Sequence, residues 1–369
     1  MARSDALTAM KPSKKPTLSL SQRRKWLKAL ATTVIVLYTV LTIFPFYVLI
    51  IRSFIPTRDA ANLHLWLAKT QEINLDAEIG NLSVFYNLDM AEFKEAMGIP
   101  KDAFLMSRTS LKEIVAQYNI PEGTLKKYFA GYYTYNGWIT LFVKNSGFWG
   151  AFRSTILIVA LSLIGLTILS IFTGYGLAGL RRRDQMFIYN LYLLQMVIPA
   201  MLIILPQFMV IQWLWRLVPH YNDPGVMRSA LQILGLVLIN IKGGAFSTMI
   251  MTSAISSVPT ELQDAAHIDG AGHWQYIRYI LFPLLKVPVA SLIVIMLPIL
   301  WNQFLEPYVY LDPNIQTLMP LTYSLQGTYR TNFQMMYAAL LATMLPLVLV
   351  YLIFRRYFVQ GVMSGAIKG

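Results

Sequence analysis

Polar and apolar positions fall in blocks along this chain. Residues 1–28 are polar and basic, with Lys11, Lys14, Lys15, Arg23, Arg24, Lys25 and Lys28. Six long, mostly apolar runs follow, at about 27–51, 149–173, 186–211, 230–252, 282–305 and 336–355. A helix needs about 20 such residues to cross the hydrocarbon core of a bilayer. Backbone amides find no water there, so spanning segments are helices or closed barrels. The pattern predicts an all-α polytopic membrane protein with six transmembrane helices. The run at 27–51 is longer than the apolar core of a signal peptide and is followed by Arg52, not by a small-residue cleavage site. It is therefore expected to be an uncleaved first span.

Lysine and arginine in short flanking loops set orientation. The basic tail, Arg181, Arg182 and Arg183 after the second run, Arg278 and Lys286 around the fifth, and Arg355, Arg356 and Lys368 at the end all fall on one side of a six-span chain. That side is expected to be the cytoplasm, with both termini inside. The predicted organisation is a basic tail (1–26), a first span (27–51), an extracytoplasmic insert (52–148), a transmembrane core (149–356) and a cytoplasmic tail (357–369).

The insert holds ten acids and ten bases, so it is solvated and neutral. Residues 91–100 and 112–121 repeat one pattern, an amphipathic segment, a Gly or Asn stop, then Ile-Pro opening a second helix. The pattern resembles a helix-turn-helix, but a DNA reader needs a basic face. A small helical scaffold is the expectation, and no nucleic-acid partner is expected. Its length exceeds what a connection between two spans needs. It either helps dock an extracytoplasmic protein or caps the membrane core.

Composition narrows the chemistry. Hydrophobic residues make up 56% of the chain and charged ones 13%, against about 25% charged in soluble domains. The net charge of +13 belongs with the membrane-flanking clusters. There is no cysteine, and the four histidines, at 64, 220, 267 and 273, have no metal-ligand spacing. No phosphate-binding loop, nucleophile elbow or HExxH is present. No catalytic residue and no metal site are therefore expected in this chain, and any ATP chemistry is expected in a partner.

The loop at 258–283 is the most informative stretch. Thr260 suits an N-cap, with Gln263 completing a capping box. Glu261 and Asp264 suit the positive end of the helix. Asp269-Gly270 is expected to stop it, with Gly270 in a left-handed cap. Trp274, Ile277 and Leu281 then fall at helical spacing. Ala265 and Ala266 give the first helix a thin surface able to enter a cleft on another protein.

Asp264-Ala265-Ala266, Gly270 and Ile280-x-Phe282-Pro283 resemble the EAA motif of permease subunits of binding-protein-dependent ABC importers, with Asp for Glu and Phe for Leu. Trp301-Asn302-Gln303-Phe304-Leu305 is similar to the W-N-x-F-L signature of sugar permeases. The C-terminus, ending Gly365-Ala366-Ile367-Lys368-Gly369, looks like the tail of the maltose-type permease, and residues 174–181 resemble that family's loop after span two. The resemblance covers 26–51 and 149–369 and leaves out most of the insert.

The resemblance implies a permease subunit in a bacterial or archaeal cytoplasmic membrane, paired with a second permease, two ATPase subunits and an extracytoplasmic binding protein that delivers a sugar or oligosaccharide. It implies no cofactor in this chain, ATP and Mg being held by the ATPase. Glu261, Asp264, Ala265, Ala266, Asp269, Gly270 and Ala271 would form the coupling surface. The tail, through Gln360, Gly361, Gly365, Lys368 and Gly369, would reach the ATPase dimer.

Polar residues within the runs mark a possible path. Gln195, Gln207, Asn240, Asn302 and Gln303 are costly in lipid unless paired, so they should face the bundle interior. They either bond sugar hydroxyls, with Trp301 or Tyr192 stacking on a ring, or pack helices together. Pro45, Pro199, Pro206 and Pro298 are expected to kink their spans. Two other readings stand beside the sugar permease, a permease of the same superfamily for a non-sugar solute and a membrane sensor whose insert binds a ligand.

Overall fold

The computed structural model describes residues 20–55, 74–85, 88–130, 135–144, 146–219, 221, 225–242, 244–326 and 332–366. Every named element among them is a helix. In chain order these are α1 (Leu20–Ser53), α2 (Ile79–Phe85), α3 (Met90–Ala96), α4 (Leu111–Tyr118), α5 (Glu122–Ala130), α6 (Asn136–Ile139), α7 (Ser146–Ala178), α8 (Arg182–Val197) and α9 (Ala200–Arg216). They continue with α10 (Val226–Lys242), α11 (Ala245–Ile255), α12 (Thr260–Ile268), α13 (His273–Tyr276), α14 (Phe282–Leu284), α15 (Lys286–Trp301), α16 (Leu305–Tyr310), α17 (Leu318–Ser324) and α18 (Phe333–Ala366).

Three predicted spans are single unbroken helices, α1, α7 and α18. The other three are broken. α8 and α9 meet at 102°, α10 and α11 at 51°, and the segment His273–Leu284 meets α15 at 70°. The chain has six spans when each bent pair counts as one. Pro199 marks the sharpest break: Ile198 before it is extended, φ −74° and ψ 119°, as a residue preceding proline prefers. Pro45, Pro206 and Pro298 lie inside helices that continue past them.

α7 is the centre of the bundle and packs against α10, α11 and α15. Its seam with α11 is tight. A Cβ on Gly174 would lie 3.0 Å from the Thr252 amide nitrogen and 3.1 Å from Met251 Cβ. One turn away the hydroxyls of Thr173 and Thr248 share a hydrogen bond of 3.1 Å. Small and hydroxyl residues hold membrane helices together in this way, since apolar burial drives nothing in lipid. α1 packs on α18 and leaves most of its apolar side chains outward.

The insert has its own core of Ile79, Phe93, Leu111, Ile114, Leu125 and Phe129, all buried. Ser110 and Glu113 form a full capping box at the start of α4. Both expected stops adopt left-handed backbone, Gly98 at φ +70° and Asn119 at φ +49°. The repeat is only half realised. After Ile120-Pro121 the chain enters α5, but after Ile99-Pro100 it makes a turn and no helix. The segment beyond instead lies along α2, where Ser107 and Thr109 carbonyls accept from the Gly80 and Ile79 amides at 2.8 Å each. Those bonds satisfy α2's free N-terminal donors, which a second helix there would leave open.

Candidate functional site

The loop at 258–283 leaves α11 and forms α12 at once. The expected cap is not the one observed. Pro259 holds the N-cap position, without a side-chain bond, and Thr260 is the first helical residue. Gln263 turns away from the helix start and donates Nε2 to the Tyr175 hydroxyl of α7 at 3.3 Å. The same hydroxyl lies 2.9 Å from His273 Nδ1. A helix beginning on proline has one fewer free amide to satisfy, which releases Gln263 for this bond.

The C-terminal stop is as expected. Gly270 has φ +80° with open space where a Cβ would project, and its amide donates to the His267 carbonyl at 3.0 Å. The Ala271 amide donates to the Ala266 carbonyl at 2.9 Å. Ala266 faces inward at 5% exposure. Glu261, Asp264, Ala265, Asp269 and Gly270 are exposed, Ala271 is half-buried, and Ile268 is 86% exposed. The expected second helix is split into α13, a π turn over Ile277–Leu281, and α14. Ile277 and Leu281 are buried with Ala266, Tyr276, Ile171, Met251 and Ile255. Trp274 is exposed and stacks on Phe172, with ring centroids 6.0 Å apart.

The broken spans line a half-open cavity of about 420 Å³. Gln195 from α8, Gln207 from α9, Asn240 and Lys242 from α10, Gln303 after α15 and Glu306 from α16 line it among apolar neighbours. Gln303 Nε2 donates to Asn240 Oδ1 at 2.9 Å, and Asn240 Nδ2 donates to the Ser162 hydroxyl at 3.0 Å. Gln303 Oε1 is buried and accepts nothing. A second, polar hollow of about 280 Å³ lies along α9, α10 and α16, between Arg216, Gln232 and an Arg228–Asp312 ion pair of 3.0 Å. A wider hollow of about 510 Å³, beside Phe172, Trp274 and Phe282, is mostly apolar and has no convergent polar set.

The sequence candidates separate in space. Gln195, Asn240 and Gln303 come together on the cavity wall. Trp301, Asn302 and Tyr192 do not line it. Trp301 is 6% exposed, donates Nε1 to the Thr343 carbonyl of α18 at 3.0 Å, and meets the Phe152 ring edge-on. Its indole ties α15 to α18 and is not free to stack on a sugar. Asn302 caps α15 and is exposed, and Tyr192 is half-buried on α8. Gln360, Gly361 and Gly365 lie in the last turns of α18, and Lys368 and Gly369 lie outside the described residues, as do His64 and His220.

Lys242 and Glu306 line the cavity but were not among the sequence candidates. Lys242 sits inside the apolar run 230–252, followed by Gly243-Gly244, and a charge beside paired glycines in a span was the available signal. Glu306 lies one residue past the run 282–305.

Residues 167–364 match the family described as binding-protein-dependent transport system inner membrane component. The chain belongs to this family. It is thus a permease, a multi-pass transport subunit of an ABC importer that works with a binding protein, and not an enzyme. The matched region runs from within α7 to within α18 and leaves out the insert. The permease is similar to the lactose transport system permease protein LacG of Rhizobium radiobacter, 29% identical over 223 residues, 60% of this chain and 74% of that one. It is 31% identical over 224 residues to the melibiose/raffinose/stachyose import permease protein MelC of Bacillus subtilis, covering 59% of this chain and 76% of that one. The diacetylchitobiose uptake system permease protein NgcG of Streptomyces coelicolor is 27% identical over 220 residues, 59% of this chain and 69% of that one. Among solved structures, a bacterial ABC transporter involved in import of the acidic polysaccharide alginate aligns over 93% of this chain and 100% of that one, at 14% identity and a TM-score of 0.60. The two share a fold.

Proposed function

We propose that this permease translocates a sugar or oligosaccharide handed over by an extracytoplasmic binding protein, as one half of a heterodimer served by two ATPase subunits. The observation that carries this reading is the amide-lined cavity at the breaks of the spans, where Gln195, Asn240 and Gln303 converge. Carboxamides both donate and accept, which matches the hydroxyls of a saccharide. The names of LacG, MelC and NgcG, all carbohydrate permeases, support the same substrate class. In this reading α12 docks in a cleft of the ATPase, with exposed Glu261, Asp264, Ala265, Asp269 and Gly270 as contacts and Ala271 at the edge. The α12 loop and both termini then face the cytoplasm, and the tail from Gln360 to Gly369 meets the ATPase dimer, where ATP and Mg are held.

The test is to isolate the cognate binding protein and identify its bound molecule by mass spectrometry. A glycan is the expected result, and a peptide or a metal chelate would remove the substrate assignment. Cysteine pairs between Ala265 and the ATPase cleft test the docking independently, since they cross-link only if α12 is seated there.

A further inference from the structure

We propose that Lys242 and Glu306 are substrate-contacting residues and that together they select an uncharged saccharide. The inference rests on the carbohydrate reading above and specifies its chemistry. Lys242 ends α10 at the break of the fourth span, and Glu306 lies in the first turn of α16. Both line the cavity that holds the amide cluster. Among the described residues neither makes an ion pair or a hydrogen bond. Lys242 lies within an apolar run, and an ionisable side chain at membrane depth is costly, faces a water-filled path and marks what passes along it.

Two opposite charges that share a cavity without pairing are held apart by their helices. An ammonium only donates and a carboxylate only accepts. A saccharide hydroxyl does both, so a neutral sugar offers partners to Lys242 and to Glu306 through charge-assisted bonds. The orphaned Gln303 Oε1 offers a further acceptor for a hydroxyl proton. A substrate carboxylate would satisfy Lys242 but meet Glu306 as a like charge. The wall that this chain contributes carries one cation, one anion and neutral amides, so it has no net charge to attract a uronate. The shared fold with an importer of an acidic polysaccharide therefore does not extend to substrate charge.

The experiment uses the whole importer in proteoliposomes, with the glycan eluted from the cognate binding protein as the probe. Mass spectrometry of that glycan is expected to show only neutral sugars. Uronic acid, sulfate or phosphate groups would overturn the inference while leaving the carbohydrate reading intact, whereas a non-carbohydrate would overturn that reading itself. Uptake of the eluted glycan is then compared for Lys242→Gln and Glu306→Gln. Each is expected to lower uptake by about tenfold, the worth of one charged hydrogen bond. Co-purification of the ATPase reports assembly. Glutamine replaces glutamate nearly atom for atom, so Glu306→Gln carries the test if the lysine variant does not assemble. Wild-type uptake by an assembled Glu306→Gln importer would overturn the inference.

Discussion

The Tyr175 hydroxyl, near the end of α7, sits 2.9 Å from Nδ1 of His273, the first residue of α13. It also accepts from Gln263 on α12 at 3.3 Å. One oxygen thus ties the end of the second span to both halves of the loop. Tyr175→Phe deletes both bonds and keeps the ring. Net hydrogen bonds are worth about 1 kcal/mol each. The expected outcome is an assembled importer whose uptake per ATP hydrolysed falls roughly two- to tenfold. An unchanged ratio in vesicles would reduce the hydroxyl to decoration.

Gly270 takes φ +80° in open space, so conformation rather than crowding sets its tolerance. A β-branched residue there costs about 1–2 kcal/mol, whereas asparagine visits left-handed backbone more readily. Gly270→Val is expected to abolish transport with membrane insertion kept, and Gly270→Asn to retain most activity. Equal uptake by the two variants would contradict the backbone argument.

Trp301 gives a prediction of the opposite kind. Its indole bonds the Thr343 carbonyl across α15 and α18. Trp301→Ala is expected to destabilise the purified subunit by about 3–5 kcal/mol, seen as a lower melting temperature in detergent. In the milder Trp301→Phe, apparent substrate affinity should stay at wild type, and a raised KM with unchanged melting would return Trp301 to the substrate path.

The insert folds around Phe93, Leu111 and Phe129, and a partly exposed ion pair, Glu92–Lys144 at 3.4 Å, spans from α3 to the π turn before α7. Phe104 projects from its surface at 85% exposure. Replacing residues 62–135 with a Gly/Ser linker is expected to leave the core inserted and to lower ATPase stimulation by the binding protein. Full stimulation would make the insert a structural cap.

The helix α18 runs to Ala366, ten residues beyond Arg356. Truncation after Phe358 is expected to weaken ATPase co-purification or to uncouple hydrolysis from uptake. Wild-type assembly and uptake would make the tail passive.

The spans were legible because their signal is length and apolarity, which survive without tertiary detail. Their breaks were not. Pro199 and Pro206 look alike in sequence, yet one ends a helix and the other sits within one, because neighbouring segments decide whether a missing amide is tolerated. Gly270 was readable from local chemistry, since left-handed backbone nearly demands glycine. Gln263 was not, because its partner Tyr175 lies 88 residues away. Asn240 and Gln303 were readable as polar residues in apolar runs, but their contact spans 63 positions. Trp301 belongs to a recognisable signature, and a signature does not say which way an indole points.

The loop core has a mechanical consequence. Ala266, Tyr276 and Leu281 are packed together with Ile171 of α7, Ile255 of α11 and Leu292 of α15. Close-packed interiors resist compression, so a load applied to α12 travels into these helices instead of being absorbed by the loop. Two of the loaded helices, α11 and α15, end at joints, at 51° toward α10 and at 70° toward α14. The joint between α10 and α11 falls between Lys242 and Ala245, next to residues that line the cavity. In the proposed docking, a stroke at α12 would reach α11, which starts next to the cavity wall at Lys242.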